Sequence, residues 1–215
     1  MRYKVIIADD HPVFRTGIRE VVGNIPGVTL CGEAKDGLEA YQLILSALPD
    51  IAILDLEMPK LSGLDVCEKV LNEKHGTRFI ILTMHRDRHF FDDAMRKGAM
   101  GYLLKDNAID ELVTCIKTVA EGGQYASPTL ESYLTQFTER EQFRDEIKQR
   151  YELLTPTEKI ILKLVSQSIT TNEIACNLFV SQNTIENHRA NIIKKLKIQG
   201  KNSLLRFALL YKNLL

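Results

Sequence analysis

No stretch of this 215-residue chain approaches the roughly 20 consecutive apolar residues that a membrane-spanning helix requires. The basic start, Met1-Arg2-Tyr3-Lys4, leads into an apolar run, Val5–Ala8, that stops at Asp9 and Asp10. A secretory segment needs about 7–15 apolar residues, so this run reads as a strand, and neither export nor membrane residence is expected. Cysteine is sparse too. Cys31, Cys67, Cys115 and Cys176 lie far apart, with no CxxC pair and no Cys/His cluster. That spacing argues against zinc and fits reduced thiols in a cytoplasmic protein. Internal repeats and low-complexity segments are absent, and the net charge of zero says little about partners. What remains, 45% apolar and 26% charged residues, is the composition of a globular protein.

The charge is unevenly divided. Residues 1–149 carry 18 Lys/Arg against 24 Asp/Glu, whereas residues 150–215 carry 10 against 4. A basic end on an acidic chain points to a polyanion partner, although a small basic domain can also be merely soluble.

Five short apolar runs mark the first half: Lys4–Ala8, Val28–Cys31, Ile51–Leu54, Phe79–Thr83 and Gly101–Leu104. Apolar residues on both faces suit strands of a parallel sheet covered by helices. Helical periods alternate with them. Asp10-His11-Pro12 opens one helix, with Val13, Ile18, Val21 and Val22 along its apolar side, and Ser62-Gly63 precedes another bearing Leu64, Val66 and Val70. The pattern predicts a doubly wound α/β domain with a five-stranded parallel sheet over residues 1–125. Residues 126–150, opened by Ser127-Pro128 as N-cap and N1 proline, read as a helical linker. From 151 to 215 there is no strand signal. Thr155-Pro156-Thr157-Glu158 and Thr170-Thr171-Asn172-Glu173 have the spacing of capping boxes, Ser181 can cap a third helix, and a fourth starts near Gly200. A small all-α, four-helix domain is expected there.

Asp9 and Asp10 follow the first strand and Asp55 ends the third. A doubly wound sheet sets such strand ends side by side and holds its ligands there. Three carboxylates so close repel unless a cation neutralises them, and Mg²⁺ prefers a few carboxylates plus water and phosphate oxygens. Thr83 and Lys105 end the fourth and fifth strands, adding a hydroxyl and an ammonium at the same edge. The set suits transfer of a phosphoryl group to Asp55 as nucleophile, with metal and lysine stabilising the charge. His11 adjoins the acids but reads as a local hydrogen-bonding residue, since Mg²⁺ favours oxygen. His75, His85 and His89 show no ligand spacing.

The stretches Val5-Ile6-Ile7-Ala8-Asp9-Asp10-His11-Pro12, Asp55-Leu56-Glu57-Met58-Pro59-Lys60-Leu61-Ser62-Gly63, Ile81-Leu82-Thr83 and Gly101-Tyr102-Leu103-Leu104-Lys105 resemble the receiver domains of bacterial response regulators over residues 3–122. The resemblance implies a flavodoxin-like fold in which Asp9 and Asp10 hold Mg²⁺ with Asp55 and the backbone carbonyl of Glu57. Asp55 would take its phosphate from a sensor histidine kinase, Thr83 would turn towards the phosphoryl group and Tyr102 would swing inward. Two departures stand out. Asp106 follows Lys105 where receivers generally have proline, and Met84 is bulkier than the residue many receivers place after the threonine, so it is expected to restrict access to the phosphoryl group.

In the basic half, Thr170–Lys197 reads as helix, turn and longer helix. Ile185, His188, Ile192, Ile193 and Leu196 form a core-directed stripe on the second helix, while Asn183, Glu186, Asn187 and Ala190 line the opposite side. A polar face with basic flanks fits a major groove, base edges ahead and phosphates beside; a solvated face of an ordinary bundle has the same pattern. Leu154-Thr155-Pro156-Thr157-Glu158, Asn172-Glu173-Ile174-Ala175 and Ser181-Gln182-Asn183-Thr184-Ile185-Glu186-Asn187-His188 resemble the LuxR-type helix-turn-helix, and the combination resembles the NarL/FixJ family. That resemblance implies double-stranded promoter DNA as partner and a homodimer when active. The candidate DNA-facing residues are Gln182, Asn183, Thr184, Glu186, Asn187, Arg189, Lys194 and Lys195. Glu186 stands where the family often has Lys, and Ser168 where the turn before Thr170 commonly holds Gly, so that turn is expected to differ slightly. The last helix, with Leu204, Leu205, Phe207, Leu209, Leu210 and Tyr211, offers more apolar surface than a small core needs.

Two other functions share these features. A Mg²⁺-dependent phosphatase of the aspartyl-phosphate type would use a similar acid pair, but it places a DxD motif after the first strand. A DNA binder with a vestigial receiver would lack the complete acidic set.

Overall fold

In the computed structural model, which describes residues 2–212, the five anticipated strands are all present: β1 (Tyr3–Ala8), β2 (Val28–Ala34), β3 (Ile51–Asp55), β4 (Arg78–Thr83) and β5 (Ala99–Leu104). Their side chains alternate between two cores. Val5, Ile7, Ile53, Ile80 and Leu82 face one layer, with Ile18 and Val22 of α1 (Pro12–Gly23) and Leu112, Ile116 and Val119 of α5 (Ala108–Ala120). Ile6, Ala8, Leu54 and Ile81 face the other, with residues of α2 (Gly37–Ala47), α3 (Gly63–Asn72) and α4 (Arg88–Arg96). Burial on both faces is why these strands read as unbroken apolar runs.

The sheet has six strands rather than five. Tyr125–Ala126 forms β6, paired parallel with Gly101 and Tyr102, and the order is β2-β1-β3-β4-β5-β6. Two residues carry no periodicity, and only the neighbouring strand makes them a strand. Two expected packing roles also change. Val13 is 88% exposed, so the buried side of α1 begins further along the helix at Ile18. Ser127 does not cap the turn that follows it; its hydroxyl accepts from the Leu104 N–H and donates to Glu111, joining β5 to α5.

The chain divides into two compact units, Met1–Phe137 and Thr138–Leu215, with the division inside α6 (Glu131–Glu152). The first unit thus runs beyond residue 125, because Leu130 and Phe137 are buried in one of its cores. In the second, α7 (Pro156–Ser166), α8 (Thr171–Asn177), α9 (Gln182–Leu196) and α10 (Ser203–Leu210) enclose a core of Ile161, Ile174, Ile185, Ile192, Leu196, Leu204 and Phe207. Ile147, from the stretch read as linker, is buried in this same core. Both expected capping boxes form, Thr155 with Glu158 and Thr170 with Glu173, and Ser181 caps α9. Ser168 adopts φ 62°. It takes the left-handed conformation glycine favours, so the turn ahead of Thr170 is reached without glycine, at a cost of about 1 kcal/mol.

Candidate functional site: an acidic cleft at the strand ends

The sheet brings the separated acids together. Asp9 lies just past β1 and Asp55 ends β3, and both are almost wholly buried. Lys105, the residue after β5, reaches across the ends of β4 and β3 to lie 2.8 Å from Asp9 Oδ2 and 2.7 Å from Asp55 Oδ2. The order of strands decides this: β3 sits between β1 and β4, and β5 beyond β4, so three chain segments open on one edge. Gly63 completes the scaffold at the start of α3. A Cβ there would lie 2.3 Å from the Asp55 carbonyl oxygen, so only glycine lets the helix approach the end of β3. The loop between them is pinned by the Lys60–Asp36 ion pair at 2.6 Å, which holds the Asp36 carboxyl below its ordinary range.

The charges are unevenly compensated. Burial and the nearby Asp9 carboxylate push the Asp55 carboxyl above the usual range, against the pull of Lys105 and the Glu57 N–H. Burial acts to lower the Lys105 pKa, but its bonds to Asp55 and Asp9 outweigh that and hold it above the ordinary value. One ammonium faces three carboxylates. Oxygens of Asp9, Asp10 and Asp55, with a His11 nitrogen, lie within 4.8 Å of one another. Asp9 Oδ2 is buried against Lys105 Nζ, and Asp10 Oδ1 is buried against His11 Nδ1 at 2.7 Å. A hard divalent cation fits such a set, since it supplies the missing positive charge and takes oxygen ligands. His11 spends its imidazole on Asp10, the local role expected of it.

The remaining residues frame a cleft of about 480 Å³ lined by His11, Val13, Phe14, Asp55, Glu57, Thr83, Met84, Lys105 and Asp106. Thr83 ends β4 at its floor, and Met84, 60% exposed, forms part of its rim. Tyr102 is fully buried, packed edge-on against Phe91 with ring centroids 5.2 Å apart. Its hydroxyl donates to the His85 carbonyl at 3.0 Å, and burial pushes its pKa up to about 12. Three residues without a motif signal also belong here. The Lys105 ammonium lies 5.0 Å from the centroid of the Phe14 ring, Arg15 donates to the Asp9 carbonyl at 2.6 Å, and His85 contacts Glu57 at 2.9 Å.

In the second unit, Gln182, Asn183, Glu186, Asn187 and Lys194 are exposed on α9, whereas Thr184, Arg189 and Lys195 are half-buried. Three of these side chains are held within the domain: Gln182 donates to Asn172, Arg189 to Thr171, and Lys195 to Glu158. The exposed polar face is therefore narrower than the sequence suggested and centres on Asn183, Glu186, Asn187 and Lys194. No helix among the described residues is long and apolar enough to cross a membrane.

Residues 5–117 match the response regulator receiver domain, and residues 152–208 match the bacterial regulatory proteins of the luxR family. The chain is similar to the oxygen regulatory protein NreC of Staphylococcus carnosus, with 35% identity over 209 residues covering 96% of each chain. Among solved structures, the receiver domain of the response regulator NarL from Mycobacterium tuberculosis aligns with TM-score 0.55 and 36% identity, covering 56% of this chain and 98% of that one. The response regulator RcsB, solved as a complex with DNA, aligns over 96% of this chain and 98% of its own, with TM-score 0.57 and 25% identity.

Proposed function

From the premise that this chain belongs to the response regulators that join a receiver to a LuxR-type DNA-binding domain, we propose that phosphorylation of Asp55 controls its binding to promoter DNA. The observation that supports this most is the buried Asp9–Lys105–Asp55 arrangement beside Asp10, in which one ammonium faces three clustered carboxylates. Such an edge binds a cation and a phosphate together, and a structural ion pair has no need of the surplus acids.

Asp9, Asp10, Asp55 and the Glu57 carbonyl would hold Mg²⁺, which when bound offsets negative charge on the phosphoryl oxygens. The chain's own residues do the rest. A carboxylate oxygen of Asp55 attacks the phosphorus of a phosphohistidine on a sensor kinase; the O–P bond forms as the P–N bond breaks, and the imidazole leaves with a proton. Lys105 lies within reach of the new phosphoryl oxygens, and Thr83 offers a hydroxyl from the end of the neighbouring strand β4. Tyr102 is the switch residue, already turned inward. The receiver thereby catalyses only its own phosphorylation and dephosphorylation.

The phosphoryl group shifts the chain towards a homodimer by contacts it makes better in that state. Leu209 and Leu210, exposed on α10, suit the dimer face. The exposed face of α9 would enter the major groove, Asn183, Glu186 and Asn187 towards base edges and Lys194 towards phosphate, while Gln182, Thr184, Arg189 and Lys195 flank or brace that helix. A histidine kinase and chromosomal DNA as partners place the chain in the cytoplasm. The unit ending at Phe137 holds the receiver function and the unit from Thr138 binds DNA, with the division inside α6. Gel-shift and sizing of wild type and Asp55→Ala, each with and without a small phosphodonor and Mg²⁺, test the reading. Phosphodonor-dependent pairing and tighter DNA binding in wild type alone are expected; equal behaviour of both proteins rejects it.

A further inference from the structure

Four contacts meet at His85, in the loop between β4 and α4. Its backbone N–H donates to Thr83 Oγ1 at 3.0 Å, and its carbonyl accepts from the Tyr102 hydroxyl at 3.0 Å. Its imidazole stacks on Phe90, ring centroids 4.1 Å apart and planes at 18°. The fourth contact leaves the loop: Nε2–H donates to Glu57 Oε1 at 2.9 Å. Glu57 follows the phosphoacceptor by two residues, and its own N–H donates to Asp55 Oδ1 at 3.3 Å. One side-chain bond thus ties the loop after Asp55 to the loop that holds two hydroxyls of the site.

Thr83 Oγ1 accepts from the His85 N–H, and its hydroxyl also hydrogen-bonds with Tyr102, so the loop fixes both hydroxyls at once. A developing oxyanion gains most from donors fixed in advance, since ordering them then opposes neither binding nor reaction. We propose that the Glu57–His85 bond is a positioning clasp, which preorganises Thr83 and Tyr102 for a phosphoryl group on Asp55. His85 and the Glu57 side chain act through those two hydroxyls and are not themselves catalytic residues. Without the bond, His85 keeps only its stacking on Phe90 and its backbone contacts, and the loop gains freedom that the phosphoryl group must then remove. The inference rests on Asp55 being the phosphoacceptor.

A double-mutant cycle on the full chain tests it, using the phosphoryl mimic beryllofluoride with Mg²⁺. Affinity is measured for wild type, Glu57→Ala, His85→Ala and the double variant, and melting temperature is measured for the same four without beryllofluoride. Removing the Glu57 charge changes attraction for the anion by itself, but that change occurs in both backgrounds and cancels. The expected result is a coupling of at least about threefold in affinity, in the sense of a lost favourable contact, as one hydrogen bond supplies. His85→Gln, whose amide can still donate to Glu57, should recover part of the loss, and it replaces His85→Ala in the cycle if that variant does not fold. Additive affinities, or coupling seen in melting temperature and absent from affinity, overturn the clasp. A wild type that binds no beryllofluoride in Mg²⁺ instead removes the phosphoacceptor reading.

Discussion

Lys195 Nζ lies 2.7 Å from Glu158 Oε2, joining the last turn of α9 to the capping box that opens α7. The carboxylate is almost fully buried and also accepts from the Thr155 N–H at 2.7 Å. One glutamate therefore caps one helix and anchors another, and a lysine that reads as a phosphate contact is committed to the fold.

Removing either partner should weaken the C-terminal unit. Glu158→Ala loses cap and ion pair together and is expected to cost about 1–2 kcal/mol; Lys195→Ala, which leaves a buried carboxylate short of a partner, about 1 kcal/mol. Urea unfolding of the full chain, followed by circular dichroism, measures both. Burial acts to raise the Glu158 pKa, but Lys195 and Thr155 outweigh it and hold it below the ordinary 4.5. The stability it provides is then complete above about pH 4.5 and disappears as pH falls through the depressed value. Glu158→Gln should flatten that acid limb; an unchanged limb would show that the pair adds nothing.

The same relationship separates the two lysines on DNA. Lys194 is exposed, so Lys194→Ala should weaken binding to all sequences and reduce the slope of log affinity against log salt by about 0.9. Lys195→Ala should leave that slope nearly intact while lowering stability. Fluorescence anisotropy at several salt concentrations distinguishes them, and equal slopes for both variants would contradict the assignment.

Asn187 is exposed on the face that would meet base edges. Asn187→Ala should cost about 1–3 kcal/mol at one or two base pairs of a selected site and little on random DNA. Equal losses on both would remove Asn187 from direct readout.

Mg²⁺ should stabilise the chain by linkage, since three acids share one lysine. At about a hundred times its dissociation constant the gain is about 2.7 kcal/mol. Differential scanning calorimetry should show that gain in wild type and a much smaller one in Asp10→Asn. EDTA should abolish labelling of Asp55 by a small phosphodonor. A melting temperature indifferent to Mg²⁺ would contradict the metal assignment.

Met84 rims the cleft that holds Asp55. Met84→Ala should speed both labelling by small donors and loss of the acid-labile phosphate, by roughly two- to tenfold, equivalent to about 0.4–1.4 kcal/mol of barrier. Quenched time courses give both rates, and no change in either would show that the methionine does not restrict access.

Much of the site was legible because its chemistry sits at places the sequence marks by itself. Asp9, Asp55, Thr83 and Lys105 each stand at the end of an apolar run, and a parallel sheet puts such ends on one edge. His85 had no such mark. It follows a strand by two residues and lacks ligand spacing, yet the return of its loop brings its ring to Glu57 and its backbone to two hydroxyls.

Local pattern determined the five long strands, the helix starts at Ser62, Thr155, Thr170 and Ser181, and the placing of acids at strand ends, because hydrophobic period and capping act within a few residues of chain. Only the tertiary structure decided that Tyr125–Ala126 pairs as a sixth strand, that Val13 faces solvent, that Ser127 bridges β5 and α5, and that Lys195 turns to Glu158. Each of those depends on a partner distant in sequence. For a lone side chain or a two-residue strand, the partner's position, and not the local code, sets where the free energy is lowest.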